Sequence, residues 1–223
     1  MVNLRTHRDR FADRVDAGRS LAVLLTRFAG RDDVVVLGLP RGGVPVAAEV
    51  AHELRAELDV LVVRKLGVPT HPELAMGAIA DVGSTTEVVC NDIVVSKLGI
   101  RQADFDAVYR TELAELRRRS AAYRGNRPAV PVAGRVVIIV DDGLATGSTM
   151  RAAIAAVRRQ GPGELIVAVP VGAVDTCREL GADVDEVVCA LTPAPFHAVR
   201  QGYLDFTQTT DAQVLAVLAR VSR

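Results

Sequence analysis

Runs of consecutive apolar residues predict five buried strands along the chain. The runs lie at 33–40, 59–65, 135–141, 164–171 and 185–192, and the third contains an unbroken aliphatic stretch. Strands that are apolar on both faces are typical of parallel sheets covered by helices on each side. A further, shorter strand is predicted at 87–90.

Apolar residues at helical spacing predict helices between these strands. The predicted helices lie at 9–30, 44–58, 102–125, 149–161 and 174–181, with a last one near the C-terminus. The segment 66–85 is rich in Gly and Pro and predicts a long mobile loop. The alternation predicts an α/β fold with a five-stranded, mainly parallel, twisted central sheet and helices on both faces. Ligands bind such sheets at the carboxyl ends of the strands.

The third strand ends in two adjacent carboxylates, Asp141 and Asp142, and a loop of small and hydroxyl residues follows at 143–149. A glycine-containing loop and a helix N-terminus offer backbone N–H groups to phosphate. The carboxylates would repel phosphate, so they are expected to hold ribose hydroxyls or a shared Mg²⁺ ion instead. A 5-phosphorylated ribose would offer hydroxyls to the carboxylates and a phosphate group to the loop. An ordinary strand-to-helix turn explains Ser148 and Thr149 as capping residues but leaves the paired carboxylates unexplained.

The segment "VVIIVDDGLATGSTM" (136–150) resembles the phosphoribosyl pyrophosphate (PRPP) motif of the type I phosphoribosyltransferases. The resemblance implies that family's fold with a small C-terminal hood. It implies transfer of 5-phosphoribosyl from PRPP to a nitrogen acceptor (a purine, pyrimidine or related base), with release of pyrophosphate, in nucleotide metabolism or salvage. The implied cofactor is Mg²⁺, held by Asp141 and Asp142 largely through PRPP and water. The ligand-binding residues implied in the loop are Gly143, Leu144, Ala145, Thr146, Gly147, Ser148 and Thr149.

The segment "LGLPRGGVPVA" (37–47) follows the first strand and looks like the family's pyrophosphate-binding loop. There Arg41 offers a positive fork for diphosphate oxygens, and Gly42 and Gly43 offer backbone N–H groups. By the same resemblance, the Pro40–Arg41 peptide bond is expected to be cis. The alternative is a plain Pro-Arg-Gly-Gly turn.

Residues from about 65 to about 85 occupy the position of the family's flexible catalytic loop. Lys65 is similar to basic residues that contact pyrophosphate from this region. His71 and Glu73 lie in the segment too, either as catalytic groups or as parts of a solvated turn. The catalytic residues that the resemblance implies are Asp141, Asp142, Arg41 and Lys65.

Residues from about 191 to about 210 take the position of the variable hood, and the N-terminal segment is expected to adjoin it. The whole chain, 1–223, is then a single domain with a core at about 30–190. The hood's rings are either a stacking surface for a planar base or a hydrophobic plug for the last helix. These side chains are Phe196, His197, Tyr203 and Phe206.

One position departs from the family pattern. Hypoxanthine–guanine members carry an aspartate where this chain has Ala145, so a 6-oxopurine mechanism through that carboxylate is disfavoured. The chain most resembles bacterial phosphoribosyltransferase-like proteins of unassigned acceptor. The alternative is a non-catalytic PRPP-binding regulatory protein on the same fold. The intact loop at Arg41 together with Lys65 favours catalysis.

Amino-acid composition restricts the kinds of binding partner and the cellular compartment that we expect. Lys+Arg and Asp+Glu are both 27, so a nucleic-acid partner is not expected. Cys90, Cys177 and Cys189 form no CxxC pair, which predicts a reduced, cytoplasmic protein whose cysteines act as small buried apolar residues. No apolar run is long enough to span a membrane, and no signal-peptide pattern is visible. A homodimer is expected from the family and from the apolar stripe of the helix at 102–124, and the alternative is that this stripe packs on its own domain.

Overall fold

A five-stranded parallel sheet lies at the centre of the molecule. The structure is a computed structural model that describes residues 10–221. The strands are β1 (Val34–Gly38), β2 (Glu57–Val60), β3 (Val62–Val68), β4 (His71–Val82), β5 (Thr85–Cys90), β6 (Val136–Val140), β7 (Glu164–Val171) and β8 (Glu186–Leu191). The central sheet has the order β2-β1-β6-β7-β8 with every neighbouring pair parallel. The predicted α/β fold with its five-stranded sheet is confirmed.

Helices cover both faces of this sheet. They are α1 (Arg14–Leu24), α2 (Gly43–Leu54), α3 (Asp92–Lys97), α4 (Gln102–Arg124), α5 (Ser148–Arg159), α6 (Val174–Leu180) and α7 (Asp211–Val221). One face packs on α1, α2, α4 and α7, and the other on α5 and α6. Successive strand residues point to opposite faces, so Val36 joins the first core and Val35 the second. The central strands are therefore apolar at nearly every position.

The strand order reverses between β1 and β6, and this reversal creates a crevice. From β1 the chain moves outward to β2, whereas β6 leads to β7 and β8 on the other side. Gly38 pairs with Val140, and the Leu39 N–H donates to the Val140 carbonyl at 2.9 Å. The two strands thus end at the same level, and their following loops leave the sheet side by side. Open parallel sheets bind ligands at such a reversal.

The segment 66–85, predicted as a mobile loop, forms much of a second sheet instead. β3 pairs with β4 and β4 with β5, all antiparallel, through turns at 69–70 and 83–84. Two of its glycines, Gly67 and Gly77, serve close strand contacts: a Cβ on Gly77 would lie 2.6 Å from the Val89 carbonyl oxygen. The loop prediction is wrong because Gly here allows strands to approach each other rather than ending them.

The predicted strand at 59–65 is in fact two strands. β2 ends at Val60 in the central sheet, and after Leu61 the chain begins β3 in the second sheet. Both pieces are apolar because each packs in a core, so the sequence pattern does not show the change of sheet. The short strand predicted at 87–90 lies within β5.

The long helix α4 packs its apolar stripe on its own chain. Leu116 is fully buried, and Phe105, Val108 and Leu113 pack against the same core. The stripe is therefore partly covered within the protomer, and the homodimer stays a prediction. Across residues 10–221, no helix combines the length and apolar character needed to cross a bilayer.

The three cysteines differ in their surroundings. Cys177 and Cys189 are buried, as predicted, whereas Cys90 is exposed at the end of β5. β5 is an edge strand of the second sheet, so Cys90 pairs with Gly77 on one side and has no strand on the other. The prediction that all three are buried is wrong for Cys90, and the cytoplasmic location stays a prediction.

Arg124, at the end of α4, joins the two sheets. Its guanidinium lies 3.1 Å from Asp59 Oδ2 on β2 and 3.4 Å from Asp81 Oδ2 on β4. Asp59 is buried and also accepts a hydrogen bond from the Val130 N–H at 3.1 Å. Without the arginine, two largely desolvated carboxylates would lose their cation.

We expect Arg124→Met to lower the free energy of unfolding by about 3–5 kcal/mol, because it leaves these carboxylates unpaired. Arg118→Met is the matched control, since Arg118 lies on the same helix in an exposed ion pair with Glu115. Its cost should stay below about 1 kcal/mol. Urea denaturation measures both, and equal losses in the two variants would contradict the bridging role.

Candidate functional site

Asp141 and Asp142 follow β6 directly, and their carboxylates contact the glycine loop that follows β1. A Cβ on Gly42 would overlap Asp142 Oδ2, and a Cβ on Gly43 would lie 3.0 Å from Asp141 Oδ1. The carboxylates fit here because these two residues lack side chains. The structure thus brings the predicted acid pair and the predicted glycine loop into contact, at the crevice between β1 and β6.

Asp142 is held by an arginine from a distant part of the chain. Arg14, the first residue of α1, donates from Nε at 2.8 Å and lies with Nη2 at 2.7 Å from the same oxygen, Oδ2. Its Nη1 donates to the Thr207 carbonyl at 2.7 Å, and the guanidinium lies 4.1 Å from the centroid of the Phe206 ring. The sequence analysis missed Arg14, because no motif links positions 14 and 142.

Asp141 is the less compensated member of the pair. Its Oδ1 accepts the Asp142 N–H at 2.8 Å. Enclosure by protein atoms raises the pKa of Asp141 well above its ordinary value, and the neighbouring Asp142 charge raises that pKa further. Burial also raises the pKa of Asp142, while Arg14 opposes that shift. Two carboxylates thus share one arginine, and a further cation bound beside them would favour the charged form of both.

This donor set fits a Mg²⁺ ion only in part. Carboxylate oxygens are suitable ligands for Mg²⁺, which also keeps several waters or substrate oxygens. Among the described residues, no group of three or more His, Cys, Asp or Glu side chains is arranged to hold a metal. The chain therefore supplies at most the acid pair, and the other ligands would come from a bound diphosphate and from water.

The loop between β6 and α5 is open to solvent. Gly147 adopts φ of +74° just before the helix, and no side chain caps the first turn of α5. Thr146, Ser148 and Thr149 are exposed, and the hydroxyls of the first two lie 3.3 Å apart. Uncapped helix N–H groups and neighbouring hydroxyls suit an anion such as phosphate.

The segment after β7 fixes this loop from behind. The Leu144 N–H donates to the Val171 carbonyl at 2.8 Å, and the Ala173 N–H donates to the Leu144 carbonyl at 3.0 Å. Thr176 Oγ1 donates to the Ala145 carbonyl at 2.7 Å. Because its backbone is tied at these points, the loop is positioned before any ligand binds.

The loop after β1 contains the predicted cis peptide bond, Pro40–Arg41. The Gly43 N–H donates to the Leu39 carbonyl at 2.9 Å, so it closes the turn and is not free for a ligand, contrary to the expectation from sequence. Within residues 10–221, the Arg41 side chain has no hydrogen bond or ion pair. Its charge reaches Tyr123 on α4, where burial raises the pKa of the hydroxyl and Arg41 opposes that shift.

Lys65 lies within a strand of the second sheet rather than at the end of a central strand. It belongs to β3, and its Nζ donates to the Glu73 carbonyl at 2.9 Å. It lines a cavity of about 520 Å³ together with Ser148 and Thr149. His71, at the start of β4, is exposed and contacts the hydroxyl of Thr70 at 3.0 Å.

The predicted hood lies directly on the acid loop. A Cβ on Gly143 would overlap the side chain of Val199, and the Tyr203 hydroxyl donates to the Asp142 carbonyl at 2.6 Å. The Tyr203 ring is buried between Phe11 and Phe206, with centroids 5.8 and 4.8 Å away. This ring packs as part of the plug, while His197 is exposed. The N-terminal segment adjoins the hood, since the Phe11 N–H donates to the Gly202 carbonyl at 2.7 Å.

Comparison with known proteins places this site in a family. The profile of the phosphoribosyl transferase domain matches residues 8–193, which is most of the chain. The chain belongs to the phosphoribosyl transferase family. The expected family, and with it the type I fold, is therefore confirmed.

Two relatives illustrate how this phosphoribosyl transferase domain occurs elsewhere. A Mycobacterium tuberculosis protein, provisionally named a phosphoribosyl transferase in strains CDC 1551 and H37Rv, is 53% identical over 213 residues, which cover 96% of this chain and 47% of that protein. The chain thus spans about half the length of the curated relatives it matches. The crystal structure of TT1426 from Thermus thermophilus is 43% identical with a TM-score of 0.83 and covers 95% of this chain and 98% of that one.

We expect Gly42→Ala to lower the free energy of unfolding by about 1–3 kcal/mol, because its Cβ would displace the Asp142 carboxylate from Arg14. The backbone at Gly42, with φ of −64°, accepts alanine, so the loss comes from the overlap alone. Gly181→Ala is the control, since Gly181 has φ of −60° and its nearest contact for a Cβ is 3.2 Å away. Thermal and urea denaturation test this, and a stable Gly42→Ala variant with an unchanged Arg14–Asp142 pair would disprove it.

Proposed function

We propose that this phosphoribosyl transferase chain transfers 5-phosphoribosyl from PRPP to a nitrogen acceptor, with Mg²⁺ bound and pyrophosphate released. The observation that carries the proposal is the contact of Asp141 and Asp142 with the glycine loop after β1. It joins carboxylates for the sugar and a glycine turn for a diphosphate in one crevice. A PRPP molecule has both of these chemical features, together with a 5-phosphate.

The 5-phosphate is assigned to the loop that leads into α5. The exposed hydroxyls of Thr146, Ser148 and Thr149 and the uncapped first turn support this assignment. A helix terminus alone contributes only about 0.3–1 kcal/mol to binding a surface anion. The hydroxyls and backbone N–H groups must therefore supply the rest of the binding free energy. Gly143 and Gly147 let the chain curve around the phosphate.

The pyrophosphate is assigned to the loop after β1, with the Arg41 guanidinium and the backbone of Gly42 as its partners. Mg²⁺, when bound, would neutralise charge on the leaving pyrophosphate. The resemblance assigned Lys65 to pyrophosphate, but Lys65 shares a cavity wall with Ser148 and Thr149, so its contact is proposed at the 5-phosphate end of PRPP instead. Gly43 acts mainly by leaving room for Asp141.

In the proposed reaction, the bond between ribose C1 and the pyrophosphate oxygen breaks as the acceptor nitrogen bonds to C1. Asp141 and Asp142 orient the ribose hydroxyls and stabilise the positive charge that develops on the sugar. The hood, through Val199 and Phe206, covers the acceptor side. Position 145 is an alanine, so the acceptor's proton passes to the released pyrophosphate or to water rather than to a carboxylate there.

Calorimetric titration of Mg²⁺-PRPP, followed by a panel of nitrogen bases assayed for pyrophosphate release, tests the proposal. Binding together with release for one or more bases is the expected result. Binding without release for any base would overturn the transferase assignment in favour of a PRPP-binding regulatory protein. Failure to bind PRPP would overturn both.

Asp142→Asn is expected to lower turnover about 10²–10³-fold, which corresponds to roughly 3–4 kcal/mol of lost transition-state stabilisation. The reason is that the amide cannot stabilise the developing sugar cation. Asp104→Asn is the control, because Asp104 pairs with Arg101 on the exposed surface of α4. Pyrophosphate release under saturating PRPP measures both variants, and a normal rate for Asp142→Asn would remove Asp142 from the mechanism.

A further inference from the structure

Arg14 is the one cation in direct contact with the acid pair among the described residues. Resting on the proposed function, we infer that Arg14 is a positioning residue that compensates the charge of Asp142 and so admits an anionic sugar phosphate to this crevice. It acts through Asp142 and needs no contact with the ligand itself.

The hydrogen-bond geometry leaves Asp142 able to bind a ligand. Both Nε and Nη2 of Arg14 engage Oδ2, and no side chain among the described residues donates to Oδ1. An ion pair that used both oxygens would block the carboxylate. Here one oxygen fixes the side chain, and the other remains free to accept a hydroxyl of the sugar.

The position of Arg14 in α1 also argues for a role at the site. It is the first residue of the helix, and Asp13 caps the same end by accepting from the N–H groups of Val15 and Asp16. A cation at a helix N-terminus opposes the helix dipole, so this charge does not stabilise α1. Its favourable interactions are with Asp142, Thr207 and the Phe206 ring.

Electrostatics predict how the loss of Arg14 changes the affinities for PRPP and for a metal ion. Without Arg14, two adjacent carboxylates would carry their charge into a crevice meant for a polyanion, and like charges repel strongly when they are partly desolvated. The same loss would leave the pair more attractive to a bare divalent cation. Removing the arginine should therefore move the affinities for PRPP and for the metal alone in opposite directions.

The test compares Arg14→Met, Arg14→Lys and the control Arg19→Met. Arg19 lies on the same helix and forms an exposed pair with Glu49 at 2.8 Å, away from the acid pair. Calorimetry measures the affinity for PRPP at fixed Mg²⁺, and the paramagnetic resonance of Mn²⁺ measures the affinity for the metal alone. Thermal unfolding of each variant reports on folding.

Arg14→Met is expected to weaken PRPP binding roughly 10- to 100-fold and to strengthen Mn²⁺ binding. Arg14→Lys should recover most of the PRPP affinity, because it keeps the charge. Arg19→Met should change neither affinity more than about twofold, as expected of an exposed ion pair.

A loss of both affinities in Arg14→Met, with no recovery in Arg14→Lys, would assign Arg14 a purely structural role and overturn the inference. Unchanged affinities would overturn it too. If the wild-type protein fails to bind PRPP, the proposed function is wrong, and the Mn²⁺ measurement still decides the role of Arg14. Tighter Mn²⁺ binding in Arg14→Met alone would then uphold charge compensation, and unchanged binding would refute it.

Discussion

The common level at which β1 and β6 end is the constraint on which the site depends. Because Gly38 pairs with Val140, the loop after each strand starts beside the other. The acids of one loop then fill the space left by the missing side chains of Gly42 and Gly43. Neither loop could move along the sheet by one residue without separating these groups, since the register is fixed by apolar strand residues buried on both faces.

Charge is the second organising element. The crevice places an acid pair beside a glycine turn and near an uncapped helix N-terminus, and these acids would repel an anionic ligand if their charge were left uncompensated. Arg14 neutralises part of the acid charge and is itself fixed by Phe206 and Thr207. The segment over the site and the carboxylate beneath it are thereby held by one side chain, so changes in the hood are transmitted to the acid pair.

Most of the architecture could be predicted from the sequence, because apolar strands and helical spacing are local signals. The motif at 136–150 and the loop at 37–47 were also local, and the structure brings them together. The second sheet could not be predicted, since Gly67 and Gly77 serve close strand contacts that depend on the partner strand. Arg14 was missed for a related reason: its contact with Asp142 spans 128 positions and has no sequence pattern. Lys65 was predicted at the end of a central strand, where the loop begins, and lies instead within β3 of the second sheet, because the apolar pattern does not separate β2 from β3.

The pairing of the N-terminal segment with the hood has a mechanical consequence. The Phe11 N–H donates to the Gly202 carbonyl, the Leu204 N–H donates to the Phe11 carbonyl, and the two rings at Phe11 and Tyr203 pack together. Tension applied to the chain near residue 10 would therefore act on the hood, through Gly202 and Leu204, before it reached α1. A protein fused at that end would therefore exert its force on the hood first.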